Sequence, residues 1–222
     1  MDLEYFLKDR TSFIKYFYSH ASNPFSEIKK LIENKEEPFV PPYSEDPEPA
    51  FLSEWQEADA GLETVGHACL SLLSSSLHLF LKAWVHRLEQ QHGIKTTANF
   101  RKNGWFHGYK SIFLLLELPL EKCPADLSLI EQITLARNRV QHPEEITALH
   151  VNHSSADLER FPNPFFAKER ELEIASNIEG TNIDWWIKPS IATTQEKIYE
   201  AIEQVEKLCS WLEAEYWRAQ DT

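Results

Sequence analysis

The chain has 222 residues, 42% of them hydrophobic and 12% aromatic, with a net charge of −13. That is apolar material for one domain with embellishments or for two small ones, and it excludes a wholly disordered chain. The acidic balance argues against coating nucleic acid by charge alone.

The longest uninterrupted apolar run is Ile112–Leu116, well short of the roughly 18 residues of a membrane span. The first residues, MDLEYFLKDR, are acidic and amphipathic, unlike a signal or transit peptide. Cys69, Cys123 and Cys209 are far apart and show no paired zinc spacing. A reduced cytoplasmic protein with no membrane, metal or cofactor is expected. The charge is uneven: residues 1–60 sum to −7, residues 61–143 to +3 and residues 144–222 to −9. The middle of the chain is a basic island.

Leu3, Phe6, Leu7, Phe13, Ile14 and Phe17 predict a helix over 3–20, and Pro24 opens a second short helix, Phe25 to Asn34. Prolines 38, 41, 42, 47 and 49 then make a connector over 37–52. Residues 1–36 are read as an accessory segment and 53–222 as the main body. Leu62, Val65, Cys69, Leu73, Leu77, Phe80, Trp84 and Leu88 form a helical stripe, with Ser53 and Gln56 as a capping box, Gly61 or Gly66 as a break and Gly93 as a C-cap.

Residues 94–108 are expected as a loop or hairpin around Asn103-Gly104. Helices follow at Lys110 to Leu118 and Ala125 to Gln141, the latter on the stripe Leu129, Ile133, Ala136 and Val140. The segments EITALHVN, FFAKERELEIAS and NIDWWIKPSI predict a small antiparallel β insertion at about 145–190. Trp185 and Trp186 are read as packing residues in it, and Glu171 and Glu173 as the exposed side of a strand. A capping box of Thr193 and Glu196 opens a last helix on Ile198, Ala201, Ile202, Val205, Leu208, Cys209, Leu212 and Tyr216. The fold class is mainly α, an antiparallel helical bundle with a β insertion before the last helix.

The sharpest chemical signal is ARNRVQHPEE. Pro143 disfavours helical geometry at His142, which places that residue at the helix C-terminus. Arg137 lies about one and a half turns earlier. Arginine offers a planar fork to phosphate, and histidine moves a proton near neutral pH. Cleavage of RNA by its own 2′-hydroxyl needs such a pair and no protein nucleophile.

This segment resembles the HEPN superfamily, whose signature is Arg, four to six residues, then His, often with a polar residue after the Arg. Arg137, Asn138 and His142 match it with a four-residue spacing, and the resemblance covers about 53–143 and 193–218. It implies a HEPN-like bundle, a metal-independent endoribonuclease in a defence or toxin-like role, and a homodimer with an antitoxin or regulatory partner. RNA or a nucleotide is the implied ligand. Arg137 is then the phosphate group, His142 the proton-transfer group and Asn138 a polar support. The other implied possibility is a non-catalytic module for RNA or nucleotide binding or for dimerisation. Glu144 stands where family toxins paired with a nucleotidyltransferase antitoxin carry Tyr, so that one mode of control is not expected.

Around the motif, Arg139, Lys82, His78, Arg101 and Lys102 are the expected substrate-binding residues. His67, Ser71, Ser74, His78 and Lys82 follow a helical spacing, either beside the site or as a solvated face. FRKNGWFHGYK (Phe100 to Lys110) interleaves Arg101, Lys102, His107 and Lys110 with Phe100, Trp105, Phe106 and Tyr109. It suits either base stacking with phosphate contact or a segment tucked on the bundle by its aromatics. His150 and His153 lack an obvious third metal ligand.

Overall fold

Apolar residues recur every three or four positions along most of the chain, and in the computed structural model they fold as helices. The structure describes residues 2–43, 45, 47–92, 104–142, 150–176 and 188–218. Seven α-helices lie among them: α1 Leu3–Asn34, α2 Leu52–His92, α3 Trp105–Leu115, α4 Leu127–Gln141, α5 Ser155–Arg160, α6 Glu169–Ser176 and α7 Gln195–Arg218. The mainly α class holds.

Helix α1 does not stop at Pro24. It begins on Asp2, whose carboxylate accepts from the Tyr5 amide at 2.9 Å, and ends at Lys35 in the left-handed region. Pro24 is exposed. The carbonyl it leaves unpaired, that of exposed His20, is open to water, and the helix continues. Leu3, Leu7, Ile14 and Tyr18 of α1 are buried in the same core as the stripes of α2, α4 and α7.

Helix α2 likewise runs unbroken for 41 residues. Its glycines permit close approach rather than a break. A Cβ on Gly66 would stand 2.1 Å from Thr193 Oγ1 and 2.5 Å from the Thr193 carbonyl oxygen, and one on Gly61 would stand 2.5 Å from the Phe25 ring. The missing side chains let the segment before α7 and the end of α1 lie on the helix. Leu70, Leu73, Leu77, Leu81 and Trp84 are fully buried along α2, and the Trp84 indole donates to the Leu212 carbonyl at 3.2 Å. Each such large side chain contributes about 1.5–3 kcal/mol by leaving water. By length and composition Leu52–Gln90 is apolar enough to cross a bilayer, yet 56% of its most apolar window is buried inside the bundle.

The β insertion is corrected in part. Glu169–Ser176, read as strand, is helix α6. Glu171 turns inward there, and its carboxylate accepts from the Ser190 amide at 2.7 Å and from the Ser190 hydroxyl. Among the described residues the only β pairing is one antiparallel bridge, Asn152 to Ser190. Glu169, Glu171 and Glu173 alternate along the sequence as a strand's polar face does, and over so short a run that pattern does not exclude a helix. Trp185, Trp186 and Gly93 lie outside the described residues. Of the predicted loop at 94–108, the part from Trp105 onward is helix α3. The last helix is capped one residue later than read: Thr194 Oγ1 accepts from the Lys197 amide.

In an ordinary helix interior Gly→Ala adds about 0.5–1 kcal/mol of stability. At Gly66 the sign reverses, because the obstructing atoms include the Thr193 backbone. Gly66→Ala is expected to lower the melting temperature by roughly 2–12 °C, the range for overpacking of about 1–3 kcal/mol in a chain of this size. Gly61→Ala, which meets a side chain able to swing aside, is expected to cost less. Thermal melts of the two variants check this order.

Candidate functional site

Helix α4 carries the Arg137–His142 motif, and its position is fixed at both ends. Asp126 caps it, accepting from the Ser128 and Leu129 amides at 2.8 and 3.1 Å, while the Asp126 amide donates to Gln204 of α7. Leu129, Ile130, Ile133 and Ala136 are buried against the core. At the far end Arg139 Nε donates to Asp157 of α5 at 2.9 Å. Gln141 ends the helix. His142 follows with φ −131° and ψ 64°, outside the helical region that the following proline disfavours, and its amide donates to the Asn138 carbonyl.

Arg137 is half-buried. One terminal nitrogen donates to Asn138 Oδ1 at 3.0 Å, whereas its Nε is buried and has no hydrogen-bond partner among the described residues. A buried guanidinium N–H without a partner is costly, by about 1–3 kcal/mol or more for a charged group. Arg87 Nε is buried and unpartnered in the same way on an arginine held by Glu213; what sets Arg137 apart is that no carboxylate faces it among the described residues.

Across from Arg137 stands His78 of α2. Its ring stacks on Trp105, centroids 4.6 Å apart, and meets the edge of Tyr109 at 5.9 Å. Desolvation against these rings holds its pKa below the usual imidazole value, and the charges of Lys82 and Arg137 push in the same direction. His78 is therefore a neutral base beside two cations. Lys82 is exposed, with no ion-pair partner among the described residues.

The other nearby cations are already neutralised. Arg139 is held by Asp157, and Arg160 and Lys110 both face buried Glu131, at 2.5 and 3.8 Å. Glu131 gives little functional signal in the sequence because it sits within an apolar helix. A lone acid there, between Ile130 and Ile133, was the available signal. Trp105, one of the aromatics expected either to stack on a base or to tuck its segment on the bundle, has His78 as its stacking partner.

The structure thus brings Arg137, Asn138, His78 and Lys82 together, with His142 exposed at the end of the same helix. It gives Arg139 to a structural ion pair. Arg101 and Lys102 lie outside the described residues. Ser74 is buried, and His67 bonds the Ile191 carbonyl, so neither joins the site. Phe106 and Tyr109 are buried against the bundle. His150 Nδ1 reaches Glu63 at 3.1 Å while His153 Nε2 donates to the Phe166 carbonyl at 2.9 Å. Among the described residues no three His, Cys, Asp or Glu side chains are gathered as metal ligands. Compared with protein-family models, curated proteins and solved structures, the chain matches none.

His153 gives the fold a pH dependence. Burial lowers its pKa, against the opposing pull of its hydrogen bond to Phe166 and of Asp157 and Glu171, while Arg139 adds to the lowering. The unfolded chain binds the proton near the ordinary value of about 6.5, and the folded chain resists it. Stability is therefore full above about pH 6.5 and is lost as pH falls through that value toward the folded pKa. His78 has the same sign. The melting temperature is expected to fall between about pH 7.5 and 5.5, and His153→Gln is expected to reduce that slope. Equal slopes in parent and variant would count against this role for His153.

Proposed function

We propose that the chain is a metal-independent endoribonuclease of the HEPN type. The single observation that carries this reading is Arg137: among the described residues its Nε is buried without a partner, and its charge acts on His78 next to Lys82, which has no ion-pair partner among them. A phosphodiester supplies the acceptor such a group lacks.

In this reading the scissile phosphate lies on Arg137 and Lys82. A base removes the proton of the 2′-hydroxyl, the 2′-oxygen bonds to phosphorus, and the P–O5′ bond breaks. The products are a 2′,3′-cyclic phosphate and a 5′-hydroxyl that takes up a proton. Arg137 stabilises the charge on the non-bridging oxygens. Asn138 fixes its fork. His142 transfers a proton. His78, stacked and neutral, stands where it can accept a hydrogen bond from the ribose. A role in defence or as a toxin follows from the same resemblance.

A second reading has its own observation. The His142 ring is exposed and has no hydrogen-bond partner among the described residues to fix its tautomer. A module that binds RNA or a nucleotide through Arg137 without cutting it would need no such fixing.

Cleavage of a labelled RNA in excess chelator separates the two. His142→Ala and Arg137→Ala are expected to lower the rate roughly 10²–10⁴-fold. Arg137→Lys is expected not to restore it fully, since a point charge lacks the planar fork. Both sites lie outside the apolar stripe, so melts should move by only about 1 kcal/mol. Parent-like cleavage by both Ala variants contradicts the assignment. Binding without cleavage, lost in Arg137→Ala, favours the module.

A further inference from the structure

A cavity of about 330 Å³ opens where the second half of α1, the start of α2 and the first residues of α7 meet. Glu63 on its wall precedes His78 by about 22 Å along α2, at the rise of an α-helix, so the cavity is separate from the Arg137 end of the bundle. Tyr18, Leu62, Ile191 and Ala192 make its apolar walls, and the rest of its lining is polar. That volume suits a small organic molecule. Hydroxyls inside the helices of this protein bond back to their own helix: Thr64 donates to the Ala60 carbonyl at 2.8 Å, Ser76 to Leu72 at 2.9 Å and Ser111 to His107 at 3.0 Å. Ser22 of α1 does not. It is 7% exposed, it lines the cavity, and its hydroxyl has no hydrogen-bond partner among the described residues. A buried hydroxyl is rarely left in that state.

The charges around Ser22 divide into spent and unspent. Lys29 donates to Asp59 Oδ1 at 2.5 Å, so these two satisfy each other. Glu63 Oε2 meets His150 at 3.1 Å, whereas its Oε1 is 4.0 Å from His67 and makes no hydrogen bond among the described residues. Lys168 lines the same cavity, is exposed, and has no carboxylate at ion-pair distance among the described residues. Thr194 and Gln195 also line it and open α7, whose first amides carry the positive end of the helix dipole. Unspent positive charge and an unspent carboxylate oxygen therefore share one cavity without meeting.

We propose that this cavity binds a small zwitterion, an α-amino acid in chemical class. Its carboxylate lies on Lys168 and the first amides of α7, where charge-assisted hydrogen bonds are strongest. Its ammonium donates to Glu63 Oε1. The Ser22 hydroxyl donates to a carboxylate oxygen, and the side chain meets Leu62 and Ile191. A ligand with only negative charge would face Glu63 unopposed, and one with only positive charge would face Lys168. The inference stands apart from the ribonuclease reading, because it uses none of the residues of the Arg137 site.

The test is saturation-transfer nuclear magnetic resonance of the full chain with each common amino acid in turn, then calorimetric titration of those that bind. At least one is expected to bind with a Kd of about 1 mM or below. Its N-acetyl derivative lacks the ammonium and its methyl ester lacks the carboxylate. Each is expected to bind at least about tenfold more weakly, the loss that removal of one charged hydrogen bond brings. Lys168→Ala and Glu63→Gln are expected to weaken the free amino acid by a similar factor, and Ser22→Ala by less. Lys168 is exposed, so its variant keeps the fold, and circular dichroism checks the other two. Binding of no amino acid at about 10 mM overturns the proposal. So does an amino acid whose acetyl or ester form binds as well as the zwitterion, and so does one whose affinity is unchanged in Lys168→Ala.

Discussion

Helix α2 is a 41-residue rod whose inner stripe is almost wholly apolar, so it holds in water only when other helices cover it. Helices α1, α4 and α7 do so from three sides, and every other position in the bundle follows from that contact. The closest approach is at Gly66, where Thr193 presses on the α2 backbone just before α7 begins. The same packing sets the chemistry. Because Ile130 and Ile133 of α4 are buried with Leu77 and Leu81 of α2, the next turn of α4 carries Arg137 to the level of His78 and Lys82. A site with its cations on two helices is only as precise as the core between them.

The electrostatics of that end of the bundle rest on which charges are already spent. Glu131 and Asp157 neutralise Lys110, Arg160 and Arg139. These pairs hold α3, α4 and α5 together and leave Arg137 and Lys82, among the described residues, as cations there without a carboxylate. Deprotonated His78 beside them is the consequence, since a third positive charge against the Trp105 ring is disfavoured both by burial and by its neighbours. An acidic chain can in this way present a locally positive site. The overall −13 measures the ends of the molecule more than its middle.

Much of the fold was legible because helical stripes are long and redundant: Ile198 to Tyr216, and Val65 to Leu88, need no tertiary knowledge to be read. What failed was local punctuation. Pro24 and Gly66 look like breaks in a sequence, but a proline is tolerated where the freed carbonyl faces water, and a glycine is required where another chain segment touches the helix. Which of these applies depends on neighbours distant in sequence. The same holds for Glu171, whose partner Ser190 is invisible from its own segment. That Arg137, Asn138 and His142 share the end of one helix was legible from their spacing and from Pro143, and His78 stood on a polar face of α2 that could equally have been a solvated one. That Arg139 belongs to Asp157 was not, because an ion pair between two helices leaves no mark in either one.

The central claim is that Arg137 and His78 form one anion-binding site. Nuclear magnetic resonance of the Arg137 Nε–H and of the His78 ring, during titration with a dinucleotide lacking the attacking 2′-hydroxyl, tests it most directly. A phosphate seated between them gives the Nε–H its missing acceptor and offsets the charges of Lys82 and Arg137. The Arg137 resonance should then shift with saturation, and the His78 pKa should rise. If the ligand perturbs other residues while both signals stay still, or perturbs none at millimolar concentration, the site is not the one described.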